Sequence, residues 1–255
     1  MTMAHYARHA FAGLALSLGL LTSAALPAFA ETASVAVAAN FTAVSEELAA
    51  DFKAKTGDDL KLSFGATGGL YTQITQGAPF DILLAADNKR PKKAVEEGFG
   101  VDGTVFTYAI GKLVLYTAGT DVVAGEEALT AGNFQKLAIA DPEAAPYGAA
   151  AVETLKALEL YDAIVPKLVT GENISQTLQF IESGNAELGF VALSQVIGKT
   201  NGSQWLVPAD LYKPILQDAV LLKTGEANKA AVGFLEYLKS DAAVAIIEKA
   251  GYAVK

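Results

Sequence analysis

Four short stretches of this chain end an apolar, strand-like run at small or amide residues, where a helix is predicted to begin. They are Ser34–Asn40, Leu62–Gly69, Leu137–Gly148 and Thr170–Gln176. The first turn of a helix has backbone N–H groups without intrahelical partners and lies at the positive end of the helix dipole. Several such helix starts aimed at one point would bind an anion without any charged side chain.

Two of these stretches lie in the first third of the chain. Asn40 stands where a strand is predicted to end, and asparagine is a favoured helix cap whose amide can also donate outward. Thr67 is followed by Gly68 and Gly69, so a hydroxyl donor lies beside a backbone that no Cβ atom obstructs. Taken singly, each turn is also what an ordinary strand-to-helix connection requires.

The other two stretches lie in the second half of the chain. Tyr147 precedes a predicted helix and adds a phenolic O–H. Asn173 fits an N-cap with Gln176 three residues later, so Ile174 and Ser175 are predicted to hold free N–H groups. Four turns of this kind in one chain favour a solute-binding α/β protein over four unrelated connections.

Several catalytic residue types are confined to the first thirty residues or missing. Both histidines, His5 and His9, and both methionines, Met1 and Met3, fall there, and the chain has no cysteine. Residues 31–255 therefore cannot form Ser-His-Asp or Cys-His catalytic groups, soft or imidazole metal sites, or thiol redox centres. Any site in this region must work with amides, hydroxyls, carboxylates or lysines.

An enzyme remains a weaker alternative because carboxylates stand at strand ends. Asp81, Asp87, Asp141 and Glu143 are the candidates, and a pair of carboxylates can hydrolyse glycosides without histidine. Aspartates in such positions commonly serve turns and caps instead. GxxxxGK[ST] does not occur, and the one GxGxxG match, Gly98–Gly103, follows a predicted helix instead of joining a strand to a helix start, so nucleotide binding has no support.

Arginine is almost absent after residue 30. Only Arg90 remains, inside the basic run Asn88–Lys93. The run can be interpreted as a docking patch or an anion clamp, but a solvated helix start with Pro91 in its first turn is the favoured interpretation.

The first thirty residues have the pattern of a secretory signal. Arg8 precedes the apolar run Phe11–Leu26, and Ala28-Phe29-Ala30 forms a small-x-small cleavage site. Without Arg8 the chain keeps 18 of its 19 Lys and Arg against 28 Asp and Glu, a net charge of −10. This acidity argues against a nucleic-acid or anionic-membrane partner.

Helical periodicity marks several segments beyond residue 30. Val44, Leu48 and Phe52 repeat on one face of a predicted helix, and further helices are predicted over Ala149–Leu158 and Ile174–Glu182. Ser240 is predicted to be the N-cap of the last helix.

Apolar, strand-like runs alternate with these helices, which is typical of α/β units. The alternation breaks at two adjacent β-rich segments, Val105–Ala109 and Lys112–Tyr116, and a third such segment, Ile215–Leu222, follows a middle set of α/β units. This order predicts two lobes and a chain that passes between them twice. Two crossings allow a hinge.

Five motifs carry a resemblance to a known family. They are Val37–Thr42, Phe64–Leu70, Gly77–Asp87, Asp141–Gly148 and Leu188–Ala192. In this order and spacing they resemble the periplasmic molybdate-binding proteins of molybdate ABC importers, over essentially the whole chain after residue 30.

The resemblance implies an α/β protein with the two-lobed type II periplasmic binding protein fold. Each lobe is expected to be a mainly parallel sheet flanked by helices, with residues 31–112 and 217–255 in lobe 1 and residues 113–216 in lobe 2. The implied function is capture of molybdate, and also tungstate, between the lobes for delivery to a membrane permease. The family further implies a periplasmic monomer without catalysis, cofactor or directly ligated metal, after removal of residues 1–30.

The positions implied to hold the oxyanion are Asn40, Thr67, Tyr147 and Ile174, with Ala39 and Ala66 in the same turns. Many members carry Ser where Asn40 and Thr67 stand, Ala where Tyr147 stands, and Tyr at the position of Ala192. A hydroxyl absent at Ala192 and present at Tyr147 suggests a compensated exchange. These departures leave open another oxyanion or a small organic acid as ligand.

Overall fold

The structure is a computed structural model that describes residues 1–2, 30–119 and 123–254. The predicted signal, residues 1–30, lies almost wholly outside the described residues. In the part that is described, no helix combines the length and apolar character that crossing a membrane requires.

Within the described residues, ten strands alternate with helices. The strands are β1 (Thr32–Ala38), β2 (Asp59–Gly65), β3 (Ile82–Leu84), β4 (Phe106–Gly111), β5 (Leu113–Thr117), β6 (Leu137–Ala140), β7 (Leu168–Gly171), β8 (Leu188–Ala192), β9 (Ser203–Leu206) and β10 (Ile215–Leu221). The helices are α1 (Thr42–Thr56), α2 (Thr67–Thr75), α3 (Lys89–Glu96), α4 (Glu126–Ala131), α5 (Pro146–Ala157), α6 (Tyr161–Ile164), α7 (Ile174–Glu182), α8 (Leu193–Val196), α9 (Lys229–Tyr237) and α10 (Asp241–Lys249). A 3₁₀ turn, Ala39–Phe41, joins β1 to α1.

The strands form two five-stranded sheets of matching order. The first sheet runs β2-β1-β3-β10-β4, and the second runs β7-β6-β8-β5-β9. In each sheet only the fourth strand in this order, β10 or β5, is antiparallel to its neighbours. The first lobe is defined here as the first sheet with its helices, and the second lobe as the second sheet with its helices.

The antiparallel strand of each sheet is the one that arrives directly from the other lobe. The chain leaves the first lobe between β4 and β5, across Lys112 alone, and returns through residues 207–214 into β10. The predicted α/β fold with two crossings is confirmed, and the sheets are mixed rather than purely parallel. A strand can follow its neighbour in the parallel direction only if a crossover segment, usually a helix, first carries the chain back along the sheet. The direct crossings into β5 and β10 contain no such helix, and these two strands are antiparallel to their neighbours.

Each lobe is held by its own apolar core. The predicted stripe on α1 is confirmed, because Val44, Leu48 and Phe52 are all buried against the first sheet. Phe52 meets Phe234 of α9 edge to face, with ring centroids 5.4 Å apart. Full burial of such a side chain contributes about 1.5–3 kcal/mol.

Most predicted helices are present, with shifted starts. The prediction for Ile174–Glu182 is confirmed at both ends, and the Ser240 side chain accepts the N–H of Ala243 as the predicted cap of α10. The predicted helix 149–158 begins earlier, at Pro146, which suits a first helical turn because proline needs no N–H partner there. Tyr147 therefore lies inside the helix rather than before it.

Candidate functional site

A small cavity lies where helix starts of both lobes meet. It is lined by Ala38, Ala39, Asn40, Gly65, Ala66, Thr67, Ala86, Ala145, Pro146, Tyr147 and Ile174. All six predicted site residues are in this lining, and none of the lining residues is charged. The cavity lies at the carboxyl ends of parallel strands, where open α/β sheets characteristically hold ligands.

The first lobe contributes the 3₁₀ turn after β1 and the start of α2. Asn40 and Thr67 are buried, with 5% and 1% of their surface exposed. Among the described residues, no acceptor is recorded for the backbone N–H of either. A buried N–H without a partner is costly, so these two groups are available donors that a ligand would satisfy.

The second lobe contributes the starts of α5 and α7. Tyr147 is the second residue of α5 and Ile174 the first of α7, and both are buried. Within the described ranges their backbone N–H groups also lack a recorded acceptor. The N-terminal dipole ends of two helices thus add to those of the first lobe.

The hydroxyl of Thr67 has a defined role at the cavity wall. It accepts the backbone N–H of Ala86 at 3.0 Å. Because the oxygen is engaged as an acceptor and the described residues offer its proton no partner, that proton is free to be donated. Thr67 therefore supplies a hydroxyl donor beside its backbone N–H.

The Asn40 side chain departs from the sequence expectation. It caps no helix, and its Nδ2 group donates to Gln217 Oε1 and to the Tyr252 hydroxyl, each at 2.9 Å. The Tyr252 hydroxyl in turn donates to the Asn40 carbonyl at 2.8 Å. The Asn40 side-chain nitrogen therefore anchors the turn in the first lobe, and the backbone N–H is the donor of Asn40 that stays without a partner among the described residues.

The side chain of Tyr147 also points into a polar network. Its hydroxyl accepts a hydrogen bond from Gln217 Nε2 at 3.2 Å, so the ring spans from the second lobe to β10 of the first. Ala192 ends β8 and is absent from the cavity lining. Among the described residues, the backbone N–H of Tyr147 is the group at this end of α5 that remains without an acceptor.

The start of α7 corrects one sequence expectation. The Asn173 cap is confirmed, with Oδ1 accepting the N–H groups of Ser175 and Gln176, each at 3.0 Å. Ser175 is therefore not a free amide, and Ile174 alone retains one. The Ser175 hydroxyl instead crosses to the first lobe and donates to the Ala39 carbonyl at 3.3 Å.

The lobes contact each other beside the cavity. The N–H of Gly68 donates to the Ala144 carbonyl at 2.9 Å, and Arg90 Nη2 donates to the Glu143 carbonyl at 2.7 Å. Arg90 is also paired with Asp87 at 2.5 Å. Arg90 is thus not a merely solvated residue at a helix start, because it reaches across to the opposite lobe.

The carboxylates of the enzyme alternative serve as local anchors. Asp81 accepts the N–H of Ser34 at 2.7 Å, and Asp141 accepts the N–H of Glu143 at 2.9 Å. Asp87 caps the start of α3 through the N–H groups of Lys89 and Arg90. These carboxylates serve turns and helix caps, which is the common role of aspartate at such positions.

Sequence reasoning missed several residues around the cavity. Five residues of the lining were not predicted, and each lies within a motif of the family resemblance: Ala38, Gly65, Ala86, Ala145 and Pro146. Gln217 lies behind it and is fully buried. The available signal for Gln217 was a lone amide inside the apolar run of β10, which indicates a polar partner in the core.

The buried tyrosines behind the cavity make stability sensitive to alkaline pH. Burial raises the pKa of Tyr252 to about 12, and it raises the pKa of Tyr108 and Tyr147 well above the ordinary value of 10.0. Since the folded pKa exceeds the unfolded one, this stability is complete below pH 10 and is lost as pH rises through the folded pKa.

We therefore expect the free energy of unfolding to fall from about pH 10 upward, measured by urea unfolding at a series of pH values. Tyrosinate absorbance of the folded protein should lag behind that of the urea-unfolded chain, which serves as the control. Folded tyrosines that all titrate together with the unfolded chain would contradict this expectation.

Two lobes joined by two crossings, with a neutral cavity walled by helix starts from both, define a two-lobed solute-binding protein. The family model for bacterial extracellular solute-binding proteins matches residues 33–253. The chain belongs to this family, whose members bind solutes rather than catalyse reactions.

Known relatives narrow the comparison. The molybdate-binding protein ModA of Rhodobacter capsulatus is 54% identical over 238 residues, covering 93% of this chain and 94% of the relative. ModA of Azotobacter vinelandii is 50% identical over 246 residues, covering 95% and 96%. A solved structure of an Azotobacter vinelandii periplasmic molybdate-binding protein superposes with a TM-score of 0.84 at 38% identity, covering 88% of this chain and 99% of that one.

Proposed function

We propose that this protein binds molybdate, and also tungstate, between its two lobes and delivers it to the membrane permease of an ABC importer. The observation that carries the proposal is a set of four buried residues, two from each lobe, that line one uncharged cavity and whose backbone N–H groups have no hydrogen-bond partner among the described residues. Relatives at 54% and 50% identity that are named for molybdate binding support the choice of anion.

Neutral donors suit a tetrahedral dianion for a physical reason. Backbone N–H groups, the Thr67 hydroxyl and the dipoles of α5 and α7 replace the water around the anion without a counter-ion. Each hydrogen bond to a charged group contributes about 1.5–3 kcal/mol net. The proposed ligand residues are Asn40, Thr67, Tyr147 and Ile174, with Ala39 and Ala66 lining the same turns.

The donor set also favours one protonation state. A fully deprotonated dianion presents only acceptors and can take every N–H group that the cavity offers. Hydrogen phosphate carries a proton that needs an acceptor, so it would leave a mismatched group in a buried site. Molybdate and sulfate have equivalent acceptors, so cavity size must separate them.

Binding is proposed to favour the arrangement in which the two lobes are closed over the anion. The predicted lobes comprise residues 31–112 with 217–255 and residues 113–216. Because the donors come from both lobes, the anion gains its full set of bonds only when the cleft is shut. The closed form, a monomer in the periplasm after removal of residues 1–30, then docks on the permease. That partner supplies the energy of transport.

A thermal-shift screen tests the ligand class. Molybdate and tungstate should each raise the melting temperature, because a ligand at about ten times its Kd adds about 1.4 kcal/mol to the free energy of unfolding. Sulfate and hydrogen phosphate at the same concentration should give smaller shifts. Titration calorimetry then measures the affinities.

Three results would redirect the proposal. Sulfate binding as tightly as molybdate would remove selectivity by size. A shift with small carboxylates and none with any oxyanion would favour the organic-acid alternative. Turnover on a glycoside panel would instead support the carboxylate-dependent hydrolase.

A further inference from the structure

Gln217 lies outside the cavity but bonds to a residue of each lobe that lines it. It is fully buried in β10, at the irregularity where the pairing with β4 shifts between Gln217 and Asp218. Its Oε1 accepts from Asn40 Nδ2 at 2.9 Å, and its Nε2 donates to the Tyr147 hydroxyl at 3.2 Å. One carboxamide therefore links the first-lobe turn to the start of α5 in the second lobe.

We propose that Gln217 is a positioning residue that holds the Asn40 and Tyr147 donor segments in register across the cleft. The inference rests on the proposed function, because those two segments are assigned there to the oxyanion. The inference adds Gln217 to the proposed site as a residue that does not contact the ligand and acts through Asn40 of the first lobe and Tyr147 of the second.

The chemistry at this position requires an amide. Oε1 accepts from Asn40 and also from the Tyr108 hydroxyl at 3.1 Å, while Nε2 must donate to Tyr147. Leucine offers neither function, and ionised glutamate offers acceptors only. A substitution therefore leaves buried polar groups without partners and frees the two segments to shift.

Gln217 also lies where the two crossings meet. Gly111 ends β4 and directly precedes the first crossing, and a Cβ atom there would be 2.8 Å from Gln217 Nε2 and 2.1 Å from the Tyr147 hydroxyl. The glycine is what allows the Tyr147 and Gln217 side chains to meet between β4 and β10. Movement of α5 relative to the first lobe must therefore break or reform the bond between them.

The buried tyrosine network extends the same link. The Ser194 hydroxyl of α8 donates to the Asn40 carbonyl at 3.0 Å and lies 2.8 Å from the Tyr252 hydroxyl. Asn40 is thus held from the second lobe at its carbonyl and from Gln217 at its amide. Within this network Gln217 donates a hydrogen bond to Tyr147.

The test compares Gln217→Leu, Gln217→Glu and a control, Gln204→Leu, by titration calorimetry with sodium molybdate at micromolar concentration. Gln204 is exposed in β9 and donates to the Val196 carbonyl, away from the cavity, so its variant should bind as the wild type does. Gln217→Leu should weaken binding about 10-fold, through loss of preorganisation.

Gln217→Glu supplies a readout that a merely structural role would not move. With its glutamate ionised, the Gln217→Glu variant should bind molybdate more weakly than the Gln217→Leu variant does. Lowering the pH from about 8 to about 6 should restore the affinity of Gln217→Glu, because the buried carboxyl takes up a proton and regains a hydrogen-bond donor. Wild-type affinity should stay flat over this range. Circular dichroism melts check that each variant is folded.

The outcomes separate this inference from the proposed function. A wild-type protein that does not bind molybdate overturns the proposed function. A wild-type protein that binds, together with a Gln217→Leu variant of equal affinity or a Gln217→Glu variant without pH dependence, overturns the role of Gln217 alone. If Gln217→Leu does not fold, the pH dependence of Gln217→Glu decides.

Discussion

Gly68→Ala is expected to weaken oxyanion binding by about 100-fold, because two charge-assisted hydrogen bonds from one lobe are worth about that much. A Cβ atom at residue 68 would lie 3.0 Å from the Ala144 Cα atom and 3.1 Å from its carbonyl oxygen. These are backbone atoms of the opposite lobe and cannot rotate away. The lobes would be held apart, and the N–H groups at the starts of α5 and α7 would no longer contact the oxyanion.

The fold of the first lobe should tolerate this change. Gly68 lies in the first turn of α2, where alanine is a better helix former than glycine by up to about 1 kcal/mol. The unliganded variant should therefore melt at the wild-type temperature or above. Titration calorimetry with molybdate measures the affinity, and small-angle X-ray scattering with saturating molybdate reports whether the lobes close.

Gly69→Ala is the matched control for this prediction. It is the next residue of the same helix, it is exposed, and a Cβ atom there would meet nothing within 4 Å. Its affinity should equal that of the wild type. Equal affinities for Gly68→Ala and Gly69→Ala would mean that the contact with Ala144 does not limit closure.

Gly148→Ala is expected to lower both stability and affinity. A Cβ atom at residue 148 would lie 2.1 Å from the Ala140 carbonyl oxygen and 2.7 Å from its carbonyl carbon, at the end of β6. The start of α5 must then move away from the sheet, and it takes the Tyr147 N–H with it. Overpacking of this kind costs about 1–3 kcal/mol.

Urea unfolding and calorimetry with molybdate measure the two effects of Gly148→Ala. Gly233→Ala is a control for the glycine-to-alanine change itself, since Gly233 lies within α9 and its Cβ atom would meet only the Phe52 ring, at 3.7 Å. That variant should be as stable as the wild type or more so. Wild-type affinity in a folded Gly148→Ala protein would remove the α5 start from the proposed site.

The two predictions also differ in where their cost falls. The clash of residue 68 with the Ala144 backbone exists only when the lobes meet. The other near atom, Arg90 Nη2 of the first lobe at 2.9 Å, ends a flexible side chain that can move aside. The substitution should therefore reduce binding without unfolding the chain. The clash at Gly148 lies within one lobe and is present whether or not the cleft is shut. Comparing the melting temperatures of the unliganded variants therefore separates a closure effect from a packing effect.

Much of the architecture could be predicted from local pattern. Strand-to-helix turns, the apolar stripe of α1 and the cap at Asn173 are encoded within a few residues of sequence, so hydrophobic period and capping chemistry find them. The start of α5 was missed by three residues because Pro146 also reads as a turn residue. Short edge strand β9 has no strong period and was not predicted.

The direction of side chains could not be predicted in the same way. Asn40 reads locally as a cap, yet its partners Gln217 and Tyr252 are 177 and 212 residues away in the chain. The local pattern predicts a free N–H group at Ser175, yet Asn173 Oδ1 accepts the N–H groups of both Ser175 and Gln176. Arg90 reads as a solvated residue, yet it bonds to the opposite lobe.

By itself, the sequence determined the class of chemistry. A chain without Cys, His or Met beyond residue 30, with four helix starts after strand ends, can bind an anion only through neutral donors, lysines or its one arginine there. The motifs that carry the family resemblance are local, and their order along the chain fixes the two lobes. These properties do not depend on how distant segments meet.

Only the tertiary structure decided which groups face the cavity and which hold it in place. It brought the four turns together and left one backbone N–H in each turn without a partner among the described residues. It also drew the Asn40 amide and the Tyr147 hydroxyl toward Gln217. The physical reason is that every buried polar group must find a partner, and for a side chain that partner is chosen by packing between distant segments.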